Sequence, residues 1–326
     1  MHKKNTITGA NKLFLLFTVF YLLFQIILAV GAAILSFIHG ADYYEKFFIE
    51  NIYNILLTNQ YVIILVPVII YMLINRLSFK EVFRLNKLDL LPALLIILIS
   101  VPALFAASML NTIVVYLLQF IGSVPAQSIP APGNLKELAT GLFVVAVSPA
   151  ICEELMHRGI MLSAYENRGS MKAVVITSII FGLFHFDITN LLGATFLGLL
   201  IGYYVIRTNS IYAGMLAHFV NNALNELMLY FSKNELSSPK FITIPEAELF
   251  ASIVLGIGGL ILIAILITVF SRVTEGKVTY KPPVSNVKGD VVSILSHWPV
   301  ISVLIIYILI TMLSIKSIIS AGPTLK

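Results

Sequence analysis

Nine long apolar runs set the class of this chain. They cover residues 13–38, 55–74, 90–121, 138–165, 173–186, 191–206, 211–231, 249–270 and 294–313. A helix crosses a bilayer core with roughly 20 apolar residues. Inside lipid every backbone N–H and C=O must be bonded within the chain, so runs like these are helices. The predicted fold is all-α, a polytopic transmembrane helical bundle of about eight or nine spans. Composition excludes the alternatives. Only 11% of the 326 residues are charged and 59% are hydrophobic, with a mean hydropathy of +0.96. Soluble domains carry about 25% charged residues, and disordered chains are poorer still in apolar residues. Cys152 is the single cysteine, so an intrachain disulfide and a Cys-cluster metal site are both excluded.

The net charge of +5 reads as membrane orientation rather than nucleic-acid binding. With the N-terminus inside, the cytoplasmic segments hold 15 Lys and Arg, among them Lys3, Lys12, Arg76, Arg84, Arg168, Lys172, Arg207 and Lys277. The outer segments hold six: Lys46, Lys136, Lys233, Lys240, Lys316 and Lys326. That bias predicts a multi-pass protein with a cytoplasmic N-terminus, in the cell membrane if bacterial. The first run outlasts a signal-peptide core of 7–15 residues and is expected to stay as an anchor. Residues 76–89 alternate basic and apolar residues and predict a cytoplasmic surface helix. The last run is the least regular, because Trp298-Pro299 interrupts its start and Lys316 closes it. Gly198 and Gly202 form a G-x-x-x-G, with Ala194 one turn earlier, which predicts close helix packing.

Ionisable residues inside a membrane are functional hypotheses by default. Three groups stand out between residues 148 and 226. The first is Pro149-Ala-Ile-Cys-Glu153-Glu154-Leu-Met-His157-Arg158. Residues i and i+4 share a helix face, so Glu154 meets Arg158 and Glu153 meets His157. Glu154–Arg158 is a self-neutralised pair, and Glu153 is left to point into the bundle. The second group is Phe181-Gly-Leu-Phe-His185-Phe-Asp187. The third is His218-Phe-Val-Asn221-Asn222, with Glu226 one turn on. Taken alone, each also reads as a helix end, a core histidine or polar glue between helices. Together they carry more. The fourth and fifth runs form a hairpin near Gly169, and Glu153 and His185 lie equally far from it, so they sit at one depth. His218 is less tidy, being only about 12 Å along its helix from Ser210.

Two chemistries are open to these groups. A buried glutamate can act as general base on a water, with histidines and an amide serving the oxyanion. Alternatively, Glu153, His185 and His218 are a ligand set for zinc, with Glu154 as base. No H-E-x-x-H is present. Cys152 reads as a small buried hydrophobe rather than a nucleophile.

The motifs Glu153-Glu154-x-x-x-Arg158, Phe181-x-x-x-His185 and His218-x-x-x-Asn222 resemble those of the CPBP intramembrane proteases. This is the Abi or type II CAAX prenyl endopeptidase family. The resemblance spans about residues 138–230. It implies an intramembrane endopeptidase acting on a membrane-associated or CAAX-like peptide or protein. It implies catalytic roles for Glu153, Glu154, His185, His218 and Asn222, supported by Arg158 and Phe181. Glu153 and His185 would activate the water, and His218 with Asn222 would form the oxyanion site. The family is classed with metallopeptidases, yet its relatives favour a metal-free, glutamate-activated water over zinc. The chain then divides into N-terminal membrane helices and a surface helix at 1–137, a catalytic four-helix core at 138–231 and C-terminal membrane helices at 232–326. Membrane lipids and a membrane-bound peptide are the implied partners, with no nucleic acid. A scaffold or immunity-type protein and a proton-coupled transporter are the competing readings of the same polar residues.

Overall fold

A computed structural model describes residues 4–126, 131–232, 241–276 and 280–322. Lys3, Lys233, Lys240, Lys277, Lys326 and part of the 124–133 outer loop lie outside the described residues. The chain is a polytopic bundle of helices: α1 Ile7–His39, α2 Lys46–Ile74, α3 Leu90–Leu118, α4 Leu135–Arg168, α5 Ser170–Phe184, α6 Leu191–Thr208, α7 Ile211–Ser232, α8 Glu246–Val273, α9 Val287–Leu295 and α10 Trp298–Ser320. Seven of them are long and apolar enough to cross a membrane. The other two expected spans depart from the apolar pattern for different reasons. Helix α5 has only 15 residues. Helix α7 has 22 but carries His218, Asn221, Asn222, Asn225 and Glu226. The described residues hold one two-stranded sheet, β1 Val124–Pro125 against β2 Phe241–Ile242.

Two expectations change. Residues 76–89 do not form a surface helix. One helical turn, Phe79–Val82, is all that forms. Arg76 and Arg84 take positive φ and break the run. Leu77, Val82 and Phe83 are buried against protein, where an interfacial helix would give them to lipid. At the last span, Trp298-Pro299 starts the helix rather than interrupting it. A proline in the first turn lacks only an N–H that would have no helical partner. Lys316 lies within α10, where its long stem can follow the apolar surface.

Lipid tails are as apolar as leucine, so burial alone does not assemble such helices; close packing and polar ties do. The predicted G-x-x-x-G fits this. A Cβ at Gly198 would lie 3.1 Å from the Ser178 backbone, and one at Gly202 would lie 3.1 Å from Val174. Helix α6 is thereby laid against α5. Helices α4 to α7 form the centre, flanked by α2 and α3. On one side Phe14 and Phe17 of α1 and Met72 of α2 pack on Met156 and Ile160 of α4.

Charged residues tie one end of the bundle together. The Arg84 guanidinium donates to Glu166 at 2.8 Å, and the Lys281 ammonium donates to the same oxygen at 3.1 Å. Asp290 accepts from Arg168 at 2.9 Å and also from Lys172 and Ser285. Those three donors hold the Asp290 carboxyl down at about 2, Lys172 contributing most. The segment after α8 is thus clasped onto the α4–α5 turn.

Candidate active site

Helix α4 is not a regular α-helix where it carries the acids. Turns of π-helix cover Leu142–Val147 and Leu155–Met161, with α-helix Ser148–Glu154 between them. Such turns are frequent at functional sites because the inserted residue re-aims the side chains around it. Pro149 has no N–H to give the carbonyl four residues before it, which belongs to Val145. Asn222 of α7 donates its amide to that carbonyl at 2.8 Å. The proline and the asparagine are therefore one joint between α4 and α7.

Glu154 and Arg158 pair as expected, at 3.0 Å with both side chains fully buried. The guanidinium also donates to the Gly198 carbonyl at 3.2 Å and lies 4.4 Å above the Phe181 ring. The Glu154 oxygen that accepts from Arg158 also accepts from His218 Nδ1, at 2.8 Å. Helix α7 comes close enough because Gly214 leaves room; a Cβ there would stand 2.9 Å from Glu154. With Nδ1 donating to a carboxylate, His218 Nε2 is turned toward Glu153, 3.9 Å from its Oε2.

Glu153 departs from its expected partner. His157 bonds its backbone carbonyl at 2.9 Å, not its carboxylate. The carboxylate reaches across to α2, where Gln60 donates to Oε1 at 2.8 Å. Gln60 went unnoticed in the sequence reading, although Asn59-Gln60 places two amides inside an apolar run. Both Glu153 and His218 are only 6% exposed, so a peptide reaches them only if helices part.

His185 joins less directly. It caps α5, and its Nδ1 bonds the Phe181 carbonyl at 2.8 Å, leaving Nε2 uncommitted. It makes no hydrogen bond to Glu153 or His218. The three histidines instead gather edge-on around the Phe181 ring, with centroids 5.0 Å away for His157, 5.0 Å for His185 and 5.8 Å for His218. His157 also lies against Phe184. Phe184 is the residue before His185, so α4 and α5 meet beside it. Cys152 is fully buried and free.

A metal fits this arrangement poorly. Among the described residues no three His, Cys, Asp or Glu side chains are gathered closely enough to hold one. Glu153, His185 and His218 do not converge as a ligand set.

Residues 135–224 match the Rce1-like family. Its model is described as type II CAAX prenyl endopeptidase Rce1-like. The match takes in the three motifs, from α4 to the Asn222 turn of α7, and a little over a quarter of the chain. It agrees with the CPBP resemblance of those motifs, and it favours a membrane endopeptidase of the CAAX protease type over scaffold and transporter. No curated protein and no solved structure matches the chain.

Proposed function

We propose that this integral membrane protein hydrolyses a peptide bond of a membrane-associated or CAAX-like substrate, using Glu153 as base on a water. The observation that carries the reading is a buried run of polar groups, Arg158–Glu154–His218 and Glu153–Gln60, whose two parts face each other across 3.9 Å between His218 and Glu153. Buried ionisable groups are costly, and an arrangement of this kind is typical of proton transfer.

The roles follow from the geometry. Glu153 Oε2 accepts a proton from water, and the water oxygen bonds the peptide carbonyl carbon. Doubly protonated, His218 donates Nδ1–H to Glu154 and Nε2–H to the oxyanion. When the C–N bond breaks, Glu153 returns its proton to the leaving nitrogen. His185, beside Phe181 and with Nε2 uncommitted, serves the same water. Arg158 and Phe181 hold the Glu154–His218 pair. Asn222 acts chiefly as the joint to Val145. No step requires a metal. The N-terminus lies on the cytoplasmic side, and the surrounding lipid is the protein's solvent.

The test is Glu153→Gln, assayed with a quenched-fluorescent prenylated CAAX peptide and with membrane peptides. Cleavage by the parent should vanish in the variant while its expression and helicity stay unchanged. Full phenotypic activity of Glu153→Gln without cleavage would leave a scaffold as the better reading, and retained cleavage would remove Glu153 from the role of base. Inactivation by a chelator, reversed by zinc, would restore the metal alternative.

A further inference from the structure

We infer that Gln60, on a helix outside the family-matched segment, is the residue that positions Glu153 and selects which of its oxygens is the base. The inference rests on the proposed role of Glu153. Gln60 sits in the middle of α2 and is only 7% exposed. A buried amide is costly unless it is hydrogen-bonded, and the partner it finds is Glu153 Oε1, at 2.8 Å. Its stretch, Thr58–Leu65, is a π-helical turn, the third such turn beside the acids. The next residue anchors the turn a second time. The Tyr61 hydroxyl lies 3.3 Å from the Ser148 hydroxyl on α4, five residues before Glu153. Two successive residues of α2 thus set the register of the base.

The consequence is chemical. With Oε1 held by the Gln60 N–H, the lone pairs of Oε2 remain for water. Oε2 is the oxygen facing His218 Nε2, and it is buried without a protein hydrogen-bond partner. The Gln60 carbonyl oxygen is likewise buried and unpartnered. A neutral amide suits this post. A lysine or arginine would add a charge and neutralise the base it was orienting. The working unit therefore includes α2 and is larger than residues 135–224.

The test replaces Gln60 by Met, which keeps length and approximate volume but removes the donor. Infrared spectroscopy of the full-length protein in detergent reads Glu153 directly, as the carboxylate stretching bands absent from Glu153→Gln. In Gln60→Met those bands should shift, because Oε1 loses its hydrogen bond. On the prenylated CAAX peptide, kcat should fall about tenfold with KM nearly unchanged, because the base is no longer held in place. Unmoved bands overturn the inference, whatever the activity. If Glu153→Gln still cleaves, Glu153 is not the base, yet the bands still decide the contact with Gln60. Should Gln60→Met not fold, Gln60→Asn, one methylene too short for the contact, takes its place and should shift the same bands; unshifted bands overturn the inference.

Discussion

Removing the negative charge of Glu154 tests the buried ion pair most directly. Arg158 Nη1 lies 3.0 Å from Glu154 Oε1, with neither side chain exposed. At an effective dielectric of about 20, that separation corresponds to about 5.5 kcal/mol of attraction. Glu154→Gln keeps an acceptor oxygen for His218 but strands the guanidinium. Breaking one side of a buried pair costs about 3–5 kcal/mol. Arg158→Met strands the carboxylate at a similar cost, and it also loses about 1 kcal/mol of cation–π attraction over Phe181. The double variant removes both charges and loses chiefly hydrogen bonds, about 1–2 kcal/mol. The two substitutions should therefore couple by about 4 kcal/mol or more. The assay is unfolding by dodecyl sulfate in mixed micelles, followed by circular dichroism, for the parent and all three variants. Single variants costing under about 1 kcal/mol each, or effects additive within about 0.5 kcal/mol, would refute the reasoning. Either result would mean that the pair is solvated in a way its burial denies.

The remaining predictions concern the Asp290 clasp, the joint and the orientation. Asp290 titrates at about 2 when folded against an ordinary 3.8. Its contribution is therefore complete above 3.8 and lost as the pH falls from there to about 2. Hydrogen exchange of Val287–Leu295 should quicken across that window in the parent and show no such step in Asp290→Asn; a flat parent profile would contradict the clasp. Asn222→Ala should cost about 1–3 kcal/mol in the dodecyl sulfate assay by orphaning the Val145 carbonyl. A loss of about 10²–10³ in kcat with stability intact would instead put its amide on the oxyanion. Reporter fusions after Phe48 and Asn134 should read outside, and those after Asn86, Arg168 and Val284 inside; inversion at most of them would overturn the orientation.

Local rules carried far along this chain. Apolar runs fix where helices are because lipid leaves the backbone no other partner. The i, i+4 rule fixes Glu154 with Arg158, since both lie on one helix. The small residues Gly198 and Gly202 mark a close approach whichever helix supplies the neighbour. The three motifs marked the family segment for the same reason: each is a short pattern within one helix.

Tertiary structure decided everything that depends on rotation and register between helices. A π turn adds a residue to the helical cycle and rotates all that follows, and three such turns surround the acids. Regular spacing therefore aimed Glu153 at the His157 ring, whereas its carboxylate crosses to Gln60 and faces His218. Regular depth arithmetic left His218 short of Glu153, because it assumed that helices start level. Helix α7 begins with Ile211 bonded to the Arg84 carbonyl, and Gly214 lets it close on Glu154. Residues 76–89 are amphipathic in sequence, but burial of Leu77, Val82 and Phe83 against other helices outcompeted the interface. A sequence states which side chains share a helix face. Which face meets which is decided by the packing of all the helices at once.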